Sequence, residues 1–131
     1  MNMTDAIDLF TKEKLDQIFP ANRADTFFEA LYGDVSEGAY DISLEFSRIE
    51  NDTLIFEFHL KQRPGKCLAC NLTHGLPLVF SRHPVINLDG LIKEINTLLN
   101  GKATCTGWDV KQTKEINRTL HLLPVAFHIT E

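Results

Sequence analysis

Two thiols and an imidazole stand close together in the run Arg63-Pro64-Gly65-Lys66-Cys67-Leu68-Ala69-Cys70-Asn71-Leu72-Thr73-His74-Gly75. Cys67, Cys70 and His74 have C-x2-C-x3-H spacing. A turn that holds two thiolates at this separation can converge them on a tetrahedral zinc or iron centre. A closed site takes four ligands and three are local, so Cys105, His59 or His83 would have to supply the fourth through the fold. Cys105 is out of phase with Trp108 in a strand pattern, which puts it on the other sheet face, so it is not plainly a core residue.

The same pair could cycle between dithiol and disulfide, with Lys66 and a helix N-terminus lowering one thiol pKa. A thioredoxin site is not indicated, because no aromatic-Cys-Gly-Pro-Cys pattern in a β-α-β unit surrounds Cys67. Haem attachment needs C-x-x-C-H, and Asn71 stands where that His belongs. A third use is packing, since free cysteines often serve as small apolar residues in buried turns. Metal ligation, redox cycling and packing all stay open.

The remaining titratable residues suggest no catalytic set. His59 and His121 fall at polar-phase positions of strand patterns and are expected in solvent. His74, His83 and His128 have no carboxylate or serine at a diagnostic spacing. The chain contains no G-x-S-x-G, no Walker loop and no H-E-x-x-H. It therefore leans toward a binding module, with an enzyme whose site assembles from scattered residues still open. Arg63, Lys66, Arg82 and His83 flank the cysteine segment and could form an anion-binding rim or an ordinary solvated face.

The elements that must position these residues belong to one expected domain, 1–131, with 44% apolar and 24% charged residues and nine Phe to fill its core. A net charge of −5 and scattered Lys and Arg argue against nucleic acid and anionic membrane as partners. Met1-Asn2-Met3-Thr4-Asp5 lacks the basic start of a signal peptide and no run approaches membrane-spanning length, so a cytoplasmic location is expected. The three N-x-S/T triplets at Asn51, Asn71 and Asn117 are then of no use as glycosylation sites.

Apolar residues at Ile7, Phe10, Leu15 and Ile18, with Thr4 as N-cap and Pro20 as stop, predict one amphipathic helix. Ala24, Phe27, Phe28 and Leu31, closed by Gly33, predict a second that packs on it as a hairpin. From Tyr40 the period is two. Tyr40, Ile42, Leu44 and Phe46, then Leu54, Phe56, Phe58 and Leu60 after a turn at 50–52, predict an antiparallel β-hairpin with its aromatic face against the helices. Leu76 to Phe80 could add a short strand. Leu88, Leu91, Ile92, Ile95, Leu98 and Leu99 form one helical stripe, with Asn87 to cap it and Gly101 to end it.

Thr104 to Thr113 is expected as a strand, followed by a turn near Lys114-Glu115 and a last strand from Arg118 to Thr130. Leu120 and Leu122 share one phase while Val125, Phe127 and Ile129 share the other, so a face switch is expected at Pro124, in an edge strand. The expectation is an α+β fold of order α-α-β-β-(β)-α-β-β, with an antiparallel sheet of four to five strands and helices on one face. An uncovered edge strand and an exposed aromatic would also suit a homodimer.

The order helix, three strands, helix, two strands is similar to that of type III secretion chaperones, small acidic dimers that hold an unfolded protein across their sheet. That likeness implies an adaptor or chaperone role with a protein partner. The stretch from Arg63 to Pro77, R-P-G-K-C-x-x-C-N-L-T-x-G-L-P, resembles a group of small uncharacterised bacterial proteins sometimes labelled pancreas/duodenum homeobox protein. The residues contradict that label. A homeodomain is a basic three-helix unit with Trp-Phe-x-Asn in its last helix, whereas the single Trp108 sits in a β pattern of an acidic chain. The resemblance implies a family and no activity.

Overall fold

In the computed structural model, which describes residues 1–34, 36, 38–68 and 76–131, the N-terminal apolar pattern folds as two short helices rather than one. Helix α1 (Met3–Leu9) is capped by Asn2, whose side chain accepts from the Asp5 N–H, and α2 (Lys12–Ile18) is capped by Thr11, which accepts from the Lys14 N–H. Thr11 causes the break: its hydroxyl binds the backbone locally and starts a new helix where a longer one would continue. Thr4 therefore lies inside α1. Ile7 is 53% exposed, and Ala6 and Phe10 take the inward positions. In α3 (Arg23–Tyr32), Ala24, Phe27 and Phe28 are buried, Leu31 faces outward, and Gly33 at φ +77° closes the helix in the left-handed conformation.

Strands β1 (Tyr40–Glu50) and β2 (Thr53–Gln62) form the expected hairpin, with Glu50 paired to Thr53 around the turn and Asn51 at positive φ. The register shifts between Phe46 and Arg48. This bulge puts Ile49 opposite Leu54, on the same face as Phe46. Helices α1, α2 and α3 pack on β1.

The segment after Pro77 is helical. In α4 (Leu76–Arg82), Leu76 and Phe80 are buried while Leu78 is 54% exposed. An i, i+4 inward pair is a helical pattern, whereas a strand would have put all three on one face. Pro77 is compatible because the first turn of a helix needs no N–H from it. Phe80 sits between Phe58 at 5.3 Å and Phe27 at 5.4 Å, which fixes α4 over the sheet and aims Leu78 away from it. Helix α5 (Leu88–Leu99) follows the stripe read from the sequence. Asn87 caps it through the Gly90 N–H, and Asn100 and Gly101 end it at positive φ.

Strands β3 (Thr104–Val110), β4 (Lys114–Asn117) and β5 (Leu120–Thr130) complete a five-stranded antiparallel sheet of order β1-β2-β5-β3, in which β4 also pairs with β5. The expected turn at Lys114-Glu115 is strand, and the chain reverses at 118–119 instead. β5 is central, not an edge, so Pro124 lies between β2 on one side and the gap between β3 and β4 on the other. The Pro124 carbonyl accepts from the Lys111 N–H at 2.9 Å. In an antiparallel strand a residue's N–H and C=O point to the same side, so the missing proline N–H faces that gap. The ladder breaks where the donor is absent.

No face switch occurs at Pro124. His121, Leu123, Val125, Phe127 and Ile129 are all buried on one continuous phase, and Leu120 and Leu122 lie on the other face. With β5 central, the edge-strand argument for a homodimer loses its premise. Buried residues from the helices and the sheet join in one hydrophobic cluster. Among the described residues, no helix is long and apolar enough to cross a membrane.

Candidate functional site

Leu68, next to Cys67, is fully buried and donates its N–H to Gln62 Oε1 at 3.0 Å. Ahead of it, Gly65 at φ +74° allows the turn in which the Lys66 N–H reaches the Arg63 carbonyl. Cys67 is exposed, and its sulfur is engaged in a disulfide. Cys70 and His74 lie outside the described residues. Arg63 does not join an anion-binding rim. Its Nη2 binds Asp25 at 2.7 Å, its Nε binds Asp41 at 3.0 Å, and its guanidinium lies 5.5 Å from the Phe28 ring centre.

Cys105 is a core residue, 4% exposed, contrary to the phase argument. The register shifts between Cys105 and Gly107, and this bulge turns both Cys105 and Trp108 inward. Its thiol lies 3.7 Å from the Gly107 carbonyl, and burial pushes its pKa up, the reverse of what a metal-ligating or redox-active thiol requires. Among the described residues, no group of three or more His, Cys, Asp or Glu side chains converges to hold a metal ion. His59 lies on the open face of the sheet, with Nε2 3.9 Å from Glu57 Oε1. His83 packs edge-on against Phe27 at 4.8 Å and accepts the Val85 N–H at Nδ1, and burial lowers its pKa.

His121 is buried rather than solvated, at 6% exposure. Its Nε2 has no hydrogen-bond partner among the described residues, and Glu115 Oε1 is 4.0 Å away. His128, for which the sequence offered no partner, has two. Its Nε2 is 2.7 Å from Asp109 Oδ2 and its Nδ1 is 3.4 Å from Thr53 Oγ1. The three belong to different strands, so no sequence spacing could have announced the group.

The outer side of α4 presents exposed apolar surface. Leu78 separates two grooves. One, of about 340 Å³, is lined by Leu78, Val79, Arg82, His83 and Pro84. The other, of about 270 Å³, is lined by Pro77, Leu78, Ser81, Trp108 and Val110. Trp108 is fixed in its groove by a bond from Nε1 to Asp89 Oδ1 at 2.9 Å, at the start of α5. Arg82 is exposed and joins none of the ion pairs among the described residues. A polar hollow of about 210 Å³ lies elsewhere, between α2 and α5, where the Arg23 guanidinium covers the Phe19 ring at 4.8 Å. No family model matches this chain, and neither a curated protein nor a solved structure is significantly similar to it.

Proposed function

We propose that this chain is a small protein-binding module that takes an apolar segment carrying a carboxylate onto the outer side of α4, and that Cys67 and Cys70 form a thiol–disulfide couple. The observation that carries the reading is Leu78, a large apolar side chain 54% exposed between two apolar grooves on a helix braced from below by Phe80. A rigid apolar knob flanked by grooves gives a partner well-packed contact area with little ordering cost. Arg82 at the groove rim supplies a positive charge on a chain of net charge −5, which selects a carboxylate on the partner.

The disulfide at Cys67 supports a thiol couple over a zinc or iron centre, since a disulfide sulfur is not the thiolate that such a metal takes. In the reduced chain, Cys67, Cys70 and His74 would be the local ligand set. A chaperone-like use of the open sheet face has less support: Ile55 and Ala126 there are 7% and 1% exposed, among Glu57, His59, His128 and Asp109.

The test is selection of random peptides against the full chain under oxidising and reducing conditions. Trp108, the sole tryptophan and a groove residue, reports binding by fluorescence. Apolar peptides bearing Asp or Glu that shift Trp108 emission, and lose binding by about tenfold or more with Leu78→Asp or Arg82→Glu, would sustain the reading. Peptides that bind Leu78→Asp equally well would sink it. Affinity that is the same before and after reduction would remove the thiol couple from the proposal.

A further inference from the structure

We propose that Thr53 is an acyl-acceptor hydroxyl, activated by His128 and positioned by Asp109 on the face of the sheet that the helices leave open. Thr53 opens β2 and pairs with His128 on β5, while Asp109 on β3 lies two residues along on the same face, paired with Ala126. The chain of contacts runs from Thr53 Oγ1 to His128 Nδ1 at 3.4 Å, and from His128 Nε2 to Asp109 Oδ2 at 2.7 Å. An ionised Asp109 only accepts, so it holds the imidazole proton on Nε2 and leaves Nδ1 as the acceptor facing Thr53. Nucleophile, base and orienter thus stand in the order that hydroxyl activation needs.

The surroundings suit a small acyl donor. Ile55 and Ala126, paired with each other beside Thr53 and His128, are 7% and 1% exposed, so the room for a small donor lies toward β3. Gly107, paired with His128 from the β3 side, has no side chain, and a Cβ added there would meet nothing within 4 Å. The β3 flank of the imidazole is therefore open to a ligand. The side chains of His128 and Asp109 are 44% and 60% exposed, so the arrangement does not enclose a substrate. Stoichiometric acylation of Thr53 by an activated ester is what it supports. In that step the Thr53 oxygen forms a bond to the ester carbonyl carbon as its proton passes to His128 Nδ1. The tetrahedral intermediate then expels the leaving group as its anion, and the imidazolium returns its proton to solvent.

The probe is p-nitrophenyl acetate, with p-nitrophenolate release followed optically and the acetyl group located by peptide mass spectrometry. One acetyl on Thr53 is expected, retained in Thr53→Ser and absent in Thr53→Val. His128→Gln should slow Thr53 acetylation by about a hundredfold. Asp109→Asn should slow it less and alter its pH profile, which a purely structural role would leave in place. Thermal unfolding of each variant separates these effects from misfolding. Acetylation confined to lysines or Cys67, or an unchanged Thr53 rate in His128→Gln, overturns the proposal. The relay and the α4 grooves lie on opposite faces of the sheet, so either proposal can fail alone.

Discussion

Asn96 and Cys105 bind each other as two strand residues would: the Cys105 N–H donates to Asn96 Oδ1 at 2.6 Å, and Asn96 Nδ2 donates to the Cys105 carbonyl at 3.3 Å. A side-chain amide on α5 thus completes the backbone of β3 next to its bulge. Asn96→Ala should cost about 2–3 kcal/mol in urea unfolding, since it leaves two half-buried backbone groups without partners. Asn96→Asp keeps the acceptor and loses the donor, so it should cost less. Equal stability of Asn96→Ala and wild type would mean that water replaces the amide.

The two sides of α4 should respond differently to substitution. Phe80 is fully buried between Phe58 and Phe27, and Phe80→Ala should cost about 3–5 kcal/mol. Leu78→Asp, on the exposed side, should stay within about 0.5 kcal/mol of wild type, as surface substitutions do. Thermal unfolding of the two variants checks this contrast, and it also shows that a binding defect in Leu78→Asp is not a folding defect.

Stability should depend on pH through His83. Burial sets its folded pKa below the ordinary 6.5, and the bond from the Val85 N–H requires an unprotonated Nδ1. Between the folded and unfolded values the unfolded chain holds more protons on this group. The contribution is therefore fully present above pH 6.5 and is lost as pH falls through the folded value. In unfolding curves taken above and below pH 6.5, His83→Gln should lose less stability on acidification than wild type does.

Replacing His121 should do little harm. Its Nε2 is buried with no hydrogen-bond partner among the described residues and the exposed Glu115 carboxylate 4.0 Å away, so its desolvation is poorly offset. His121→Leu should be neutral or stabilising by about 1 kcal/mol in urea unfolding. A marked loss would show that His121 bonds in solution through ordered water.

The cysteines should separate by reactivity. Cys105, buried and with its thiol pKa raised, should alkylate only when the chain unfolds. Cys67 should alkylate rapidly in the folded chain once its disulfide is reduced. Metal analysis of reduced chain prepared anaerobically tests the alternative. About one zinc or iron per chain, lost when Cys67 and Cys70 become Ser, would replace the thiol couple by a metal centre.

The elements whose periodicity was strong were legible before folding. The β1–β2 alternation and the α5 stripe each bury one face against a single core, and burial imposes a period of two or 3.6 on the apolar residues. Three misreadings fall where one residue shifts that period. Thr11 splits a helix, the bulge after Cys105 turns a thiol inward, and the gap opposite Pro124 keeps β5 in phase. Bulges and missing donors act through the partner strand, and the sequence does not name the partner.

Composition and order determined by themselves an α+β fold with Phe-rich packing, and they marked Cys67 and Cys70 as a chemically pointed pair. Only the tertiary structure decided that Leu78 faces outward between two grooves, that Arg63 is consumed by Asp25 and Asp41, and that Asp109 and Thr53 meet at His128. The reason is range. Periodicity and capping act within a few residues, whereas Thr53 and His128 are 75 positions apart and meet only because β5 lies between β2 and β3.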